Sequence, residues 1–248
     1  MEIAGNIALS RMMALQQRMD IVANNIANMN TTGYKSIELL MKEDKISPSS
    51  NGVTAQDSSP VSMVAQWGTV RNTSGGVIQQ TGNPLDVAIQ GPGYFTVKDA
   101  SGQALYTRNG VFQISSTGTL VDLSGNPVQS DGGEINIPPG TTSVSIGSDG
   151  TVSTPKGILG RIGVVNFQNE QALLPAGTND FTAPDGVDAQ PVTNPVVVQG
   201  SLEQSNVNGI NQMTDMIEIQ RQYQSAANIV KSENDRLNAA IKDLAKTG

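Results

Sequence analysis

The sequence predicts a mixed α and β protein: N- and C-terminal helices that pair as a coiled-coil-like helical domain, with a central all-β domain between them. Three observations carry this. An apolar stripe at helical spacing lies near the N-terminus, and a longer one closes the chain. Between them the period changes to short apolar runs punctuated by Gly, Asn and Asp, the mark of strands and tight turns.

Residues 1–35 form the first zone. Met12, Leu15, Met19, Val22, Ile26 and Met29 recur at spacings of 3, 4, 3, 4 and 3, which places them on one helix face. Gly33 supplies a stop, because glycine adopts the left-handed conformation that ends helices. The stretch ANNIANMN holds Asn24, Asn25, Asn28 and Asn30. Asparagine is a mediocre helix former whose side chain competes for nearby backbone groups. A simple C-cap accounts for Asn28 or Asn30 but not for Asn24 and Asn25.

Residues 36–75 are rich in Ser, Asn, Gly and Pro, with one apolar patch at Val61–Trp67. They read as an extended connector, mobile unless neighbours order it. Residues 76–200 are the expected β domain. DVAI (86–89), YFTV (94–97), LYT (105–107), VFQI (111–114), LVDL (120–123), INI (135–137), SVSIG (143–147), TVS (151–153) and IGVVNF (162–167) read as strands. Ser148-Asp149-Gly150 between alternating runs signals a hairpin.

Residues 201–248 are the C-terminal zone. Met216, Ile219, Tyr223, Ala226, Val230, Glu233, Leu237, Ala240 and Leu244 alternate spacings of 3 and 4, with only Glu233 breaking the apolar seam. One helix over 210–245 would be roughly 50 Å long at about 1.5 Å per residue. Neither seam can be satisfied alone, so the two ends are expected to pair with each other and then with other copies. The plainer alternative is a helical hairpin inside a monomer.

Bulk composition excludes several functions. The chain of 248 residues contains no Cys and no His, so disulfides, Ser-His-Asp and Cys-His sites, and zinc sites built on those ligands are ruled out. A net charge of −7 argues against nucleic acid, whose phosphates need clustered Lys and Arg. Hydrophobic residues make up 37% and aromatics 4%, so the core is expected to be aliphatic and thin. No run approaches the ~20 apolar residues of a membrane span. The opening MEIAGNIALSRMMALQQRMD lacks the basic, apolar and small-residue regions of a cleaved signal peptide. On that ground alone the expectation is cytoplasmic. No metal or cofactor is expected.

Motif-like stretches have bland explanations. GPGYFT (91–96) lacks the third glycine and following helix of a dinucleotide loop, and GILGRIG (157–163) lacks the Gly-Lys-Ser/Thr of a phosphate loop. Asn30-Thr31-Thr32 and Asn72-Thr73-Ser74 match the glycosylation pattern, but no secretory signal accompanies them. Paired carboxylates can hydrolyse glycosides. Asp86, Asp99, Asp122, Asp131, Glu134, Asp149, Glu170, Asp180, Asp185 and Asp188 are available in the middle zone. Most adjoin Gly, Asn, Ser or Pro, where turn chemistry explains them.

Four motifs in order add a family resemblance. ANNIAN with TTGYK (23–28 and 31–35), NPLDVAIQGPGYFTV (83–97), YTRNGVFQISSTGTLVD (106–122), and SNVN (205–208) leading into MTDMIEIQRQYQSAANIV (213–230) closely resemble the signatures of bacterial flagellar basal-body rod proteins. That axial family also includes the hook protein. Leu85 stands 50 positions after Lys35, a spacing that looks more like a proximal-rod member than a distal-rod or hook-type one.

The resemblance implies a structural subunit, not an enzyme. Its copies stack helically with other rod proteins into a hollow drive shaft inside the basal-body rings, without membrane insertion. Export through the flagellar type III apparatus, with no cleaved signal, would place it in the periplasm-spanning rod rather than the cytoplasm. The implied subunit interface is Leu15, Met19, Val22, Asn24, Asn25, Ile26, Asn28, Met216, Ile219, Tyr223, Val230, Leu237 and Leu244. Asn both donates and accepts and brings no charge to desolvate, so the amides are expected to bond to backbones of adjacent subunits. Two other readings stay open: a carboxylate-based cell-wall hydrolase, and a β-sandwich binding module with coiled-coil dimerisation.

Overall fold

The computed structural model describes residues 2–46, 61–177 and 179–246, with side-chain surroundings for 7–42, 68–177, 179–239 and 241–242. The chain runs α1 (Glu2–Ala27), β1 (Ile37–Ile46), β2 (Val61–Arg71), β3 (Ile78–Gln80), β4 (Val87–Ile89), β5 (Tyr94–Lys98) and β6 (Ala104–Thr107). Further short strands follow, and then α2 (Gly209–Lys246). Two compact units result: Met1–Ala27 with Ile37–Arg71 and Asn208–Gly248, and Asn28–Ser36 with Asn72–Val207.

In the helical unit, α1 lies against α2 and against both strands of the β1–β2 ribbon. Asn208 starts α2: its Oδ1 accepts the Asn211 backbone N–H at 3.1 Å, the bond expected of an N-cap. The helices run antiparallel. Asn25 near the end of α1 bonds Gln212 near the start of α2, while Ile7, Ala8 and Arg11 border one cavity with Gln222, Ala226 and Ile229. The ribbon is antiparallel, with its register shifting between Leu40 and Met41, a bulge that bends and twists the pair.

The β unit is built on a six-stranded antiparallel sheet ordered Leu174–Ala176, Asp180–Thr182, β6, β5, Val164–Asn166, Gln190–Pro191. Adjacent residues on β5 serve different cores, as the alternation of strand side chains requires. Phe95 joins the larger core with Val87, Val97, Leu120, Val128, Ile135 and Ile162. Tyr94 joins a smaller one with Phe167, Leu173 and Phe181. The hairpin expected at Ser148–Gly150 is present, pairing Ile146 with Val152.

Several expectations need correction. The N-terminal helix stops at Ala27, so Met29 lies in the following turn rather than on the stripe. Gly33 has φ +71° but does not end the helix; it allows a close approach described below. The stretch 36–75, read as a connector, contains the paired β1 and β2, while 72–75 joins the β unit. Residues 28–35 and 201–207 also belong to the β unit, where Ser201–Glu203 pairs with β3. The INI run at 135–137 buries Ile135 and Ile137 without forming a strand. The core is not merely aliphatic either. All four phenylalanines are buried, and Phe95–Phe112, Tyr94–Phe167 and Tyr94–Phe181 pack edge to face. A low overall aromatic content says nothing about where the few rings go.

Candidate functional site

The two apolar seams meet inside the helical unit. Leu15, Val22 and Ile219 form a buried cluster, with Met19, Ile26, Met216 and Tyr223 packed around it. Ile219 is only 1% exposed, and Ala226 one heptad later is also buried. Residues proposed from sequence as subunit contacts are thus largely consumed within one chain. The seam then runs on past its cover. Val230 is half-buried, whereas Leu237 is 41% exposed and Ile241 more so. α2 has 38 residues against 26 in α1, so it outlasts its partner by about three turns. The Leu244 side chain lies outside the described residues.

A second stripe escaped the sequence reading. Leu9 and Met13 on α1, and Ile210, Met213 and Ile217 on α2, are each at least half exposed. At 3.6 residues per turn they lie roughly 120° around their helices from the buried seam. The signal was present, since Ile210, Met213 and Ile217 are again spaced by 3 and 4. It was masked by the stronger heptad pattern beside it. Scattered exposed apolar residues need no explanation, but Ile210, Met213 and Ile217 recur on one face of α2, and such runs mark interaction surfaces.

The asparagines divide their work. Asn25 is buried: its Nδ2 donates to the Ile37 carbonyl at 2.9 Å and to Gln212 Oε1 at 3.1 Å, and its Oδ1 accepts the Ile37 N–H at 3.0 Å. One amide thereby answers both backbone groups at the first residue of β1 and ties them to α2, which no charged side chain of that size can do. This corrects the expectation that Asn25 bonds a neighbouring subunit. Asn28 lies in the β unit, where its Oδ1 accepts the Thr31 hydroxyl at 3.1 Å. Asn24 is on the exposed side of α1.

Within the β unit, a buried charge cluster joins two of the sequence signatures to Glu203. Glu203, 2% exposed, accepts Lys35 Nζ at 2.6 Å on Oε1 and Arg108 Nη1 at 3.0 Å on Oε2. The Gly76 N–H adds a third donor at 2.8 Å, and Lys35 also donates to the Ser74 carbonyl at 2.7 Å. Arg108 lies over the Tyr94 ring, 5.2 Å from its centroid, a cation–π arrangement. Burial pulls the Lys35 ammonium below the ordinary lysine value, with the hydrogen bond and charge of Glu203 opposing it. A Cβ on Gly33 would come within 2.6 Å of the Arg108 backbone, so only glycine lets this segment seat.

Lys35 and Arg108 lie within two of the family-like motifs, but nothing local in the sequence gives either a role. Lys35 and Glu203 are 168 positions apart, and no local period reports such a pair.

Of the carboxylates considered for hydrolysis, Asp86, Asp99, Asp122 and Asp149 serve turns. Asp99 accepts the Ser101 and Gln103 N–H groups, Asp122 those of Ser124 and Asn126, and Asp149 that of Thr151. Asp86 is buried between Thr81 and Asn83, which both donate to it. Among the described residues no group of three His, Cys, Asp or Glu side chains could hold a metal ion, and no helix is long and apolar enough to cross a membrane.

Comparison with known proteins covers most of the chain. Residues 88–154 match the flagellar hook protein FlgE/F/G D1 domain, 198–243 the flagellar basal body rod FlgEFG protein C-terminal region, and 6–35 the flagella basal body rod protein family. The chain is 39% identical to the flagellar basal-body rod protein FlgF of Caulobacter vibrioides, over 99% of both chains. It is 34% identical to the rod protein FlgG of Agrobacterium fabrum, over 96% of this chain and 98% of that one. With FlgG of Bacillus subtilis the identity is 35%, over 94% and 96%.

Proposed function

Because the chain belongs to the flagellar basal-body rod protein family, with a structural role in the rod, we propose that it is a proximal-rod subunit of the FlgF type. In this reading it stacks helically with copies of itself and with other rod proteins into a hollow shaft that carries torque and passes exported subunits. Export through the flagellar type III apparatus without a cleaved signal, and a place within the surrounding rings, belong to the same proposal. The short spacing between Lys35 and Leu85 and the FlgF match over nearly the whole chain support the proximal position.

The observation that carries assembly is the uncovered apolar surface of the helical unit. α1 and α2 pair along a coiled-coil-like seam that α2 alone carries on to Leu237, and the exposed Leu9 and Met13 on α1 and Ile210, Met213 and Ile217 on α2 face neighbours. Seam end and stripe are different patches, so a copy that offers one to the other makes a head-to-tail contact. Such contacts propagate into filaments when they do not close into a ring. A charged substitution on the stripe tests this. Cells making only Met213→Asp/Ile217→Asp protein should export it folded, yet yield basal bodies without it and fail to swim. Normal amounts of the variant in purified basal bodies would end the proposal.

A further inference from the structure

We infer that Glu203 is a closing clasp: the β unit completes its fold in a last, separate step, when residues 201–206 and 33–36 dock together around Lys35 and Arg108. Three observations within this unit carry the inference. First, the two segments satisfy each other's backbone. The Gly33 N–H donates to the Glu203 carbonyl at 2.7 Å, the Ser36 N–H to Asn206 Oδ1 at 2.8 Å, and the Asn206 N–H to the Tyr34 carbonyl at 3.3 Å. Asn206 Nδ2 donates in turn to the carbonyls of Asn72 and Ser74. Either segment docked alone would leave these groups buried and unpaired, at the cost attached to any orphaned backbone polar group.

Second, the charges demand the same order. Lys35 and Arg108 are both buried, and each points at the one carboxylate of Glu203. Without it, two desolvated cations would share a site with no counter-charge, which is strongly unfavourable. Segment 33–36 therefore cannot settle against Arg108 before Glu203 arrives. The Gly33 and Gly76 contacts make the fit close: a Cβ at Gly76 would overlap the Gln204 carbonyl at 1.8 Å.

Third, the two apolar cores of the unit are built without either segment. Its larger core draws on residues between Val87 and Val197, and many of its pairings are local hairpins such as β5 with β6 and Thr151–Thr154 with Gly157–Arg161. Local contacts form ahead of those that close long loops. Segment 201–206 is also the last part of this unit to be synthesised. The open form, with core folded and clasp undone, is thus a natural intermediate and a natural partial unfolding of the native state.

Native-state hydrogen exchange on the full-length wild-type chain, followed by mass spectrometry across a denaturant series, tests this directly. Amides of Gly33, Ser36, Gly76 and Asn206 should exchange through an opening that leaves peptides containing Phe95, Val97 and Leu120 protected. In Glu203→Gln the clasp amides should exchange faster, on the order of a hundredfold, as loss of one member of a buried ion cluster implies, while the core amides keep their rates. Asn206→Ala should produce the same pattern with a smaller change. If clasp and core amides of the wild-type protein exchange through a single common opening at every denaturant concentration, there is no separate closing step and the inference is wrong. The same holds if the clasp amides of folded Asn206→Ala and Glu203→Gln protein exchange at wild-type rates.

Discussion

The helical and β units solve the same burial problem in opposite ways. The β unit buries apolar side chains in two cores and pairs its buried Lys35, Arg108 and Glu203 with one another. Among the described residues, the helical unit buries a small cluster around Leu15, Val22 and Ile219 and leaves Leu9 and Met13 on α1 and Ile210, Met213 and Ile217 on α2 uncovered. One unit is closed; the other leaves apolar helix surface open. Burial and open apolar surface thereby fall on different residues, and the difference can be broken residue by residue.

The largest effect belongs to the closed unit. Phe95 is fully buried and stacks edge to face on Phe112. Phe95→Ala should cost about 3–5 kcal/mol and lower the melting of the β unit in circular dichroism. Ile219→Asp is the matching change in the helical unit. Truncating the buried side chain costs about 2–5 kcal/mol, and the unpaired charge adds desolvation. Amide protection along α1 and α2 should collapse while the β unit melts as before. If protection survives, the seam is not the internal contact described.

Leu237→Asp should behave differently. Exposed at 41% in the single chain, Leu237 should cost under about 0.5 kcal/mol in the monomer when replaced, yet rod assembly and motility should be lost. Lys231→Asp, off the seam, should be mild in both assays. A monomer strongly destabilised by Leu237→Asp would mean that the end of α2 is covered within its own chain.

The smallest effect is one of pH. Burial, with the Asp122 charge adding to it, raises the Asp180 carboxyl above its ordinary value of 3.8, against an opposing hydrogen bond from Thr107. A carboxyl raised in the folded state makes folding less favourable once it ionises. The penalty is full above the raised value and gone below about 3.8. Asp180→Asn should therefore stabilise the β unit at neutral pH by less than about 1 kcal/mol, given partial solvent screening, with the gain vanishing in acid. Denaturant melts at the two pH values would show it, and a loss of stability at neutral pH would reverse the assigned sign.

The same contrast explains what the sequence disclosed. The C-terminal helix was legible almost to the residue, 210–245 expected against Gly209–Lys246 observed, because a heptad stripe is a local signal. The main strands from β4 to β6 were legible for a similar reason. The β1–β2 ribbon was not: Leu39, Leu40 and Met41 run together without alternation, and a bulge falls within that run. Asn25 stood out as a question, but its answer depends on Ile37 beyond the helix end and on Gln212, 187 positions along the chain. Lys35, Arg108 and Glu203 were invisible as a group, since a single charged residue in a sequence looks like a solvated one.

The central claim is that one apolar seam closes the helical unit within a chain while a second stripe joins chains. Cysteine cross-linking in assembled basal bodies tests it most directly, because the native sequence has no Cys to confuse the result. Leu237→Cys/Ile217→Cys protein should yield covalent multimers on oxidation in the rod. Leu15→Cys/Ile219→Cys protein should yield only internally bridged monomer. Multimers from the second pair and none from the first would show that the buried seam is what joins subunits, and the division of labour between the two stripes would be wrong.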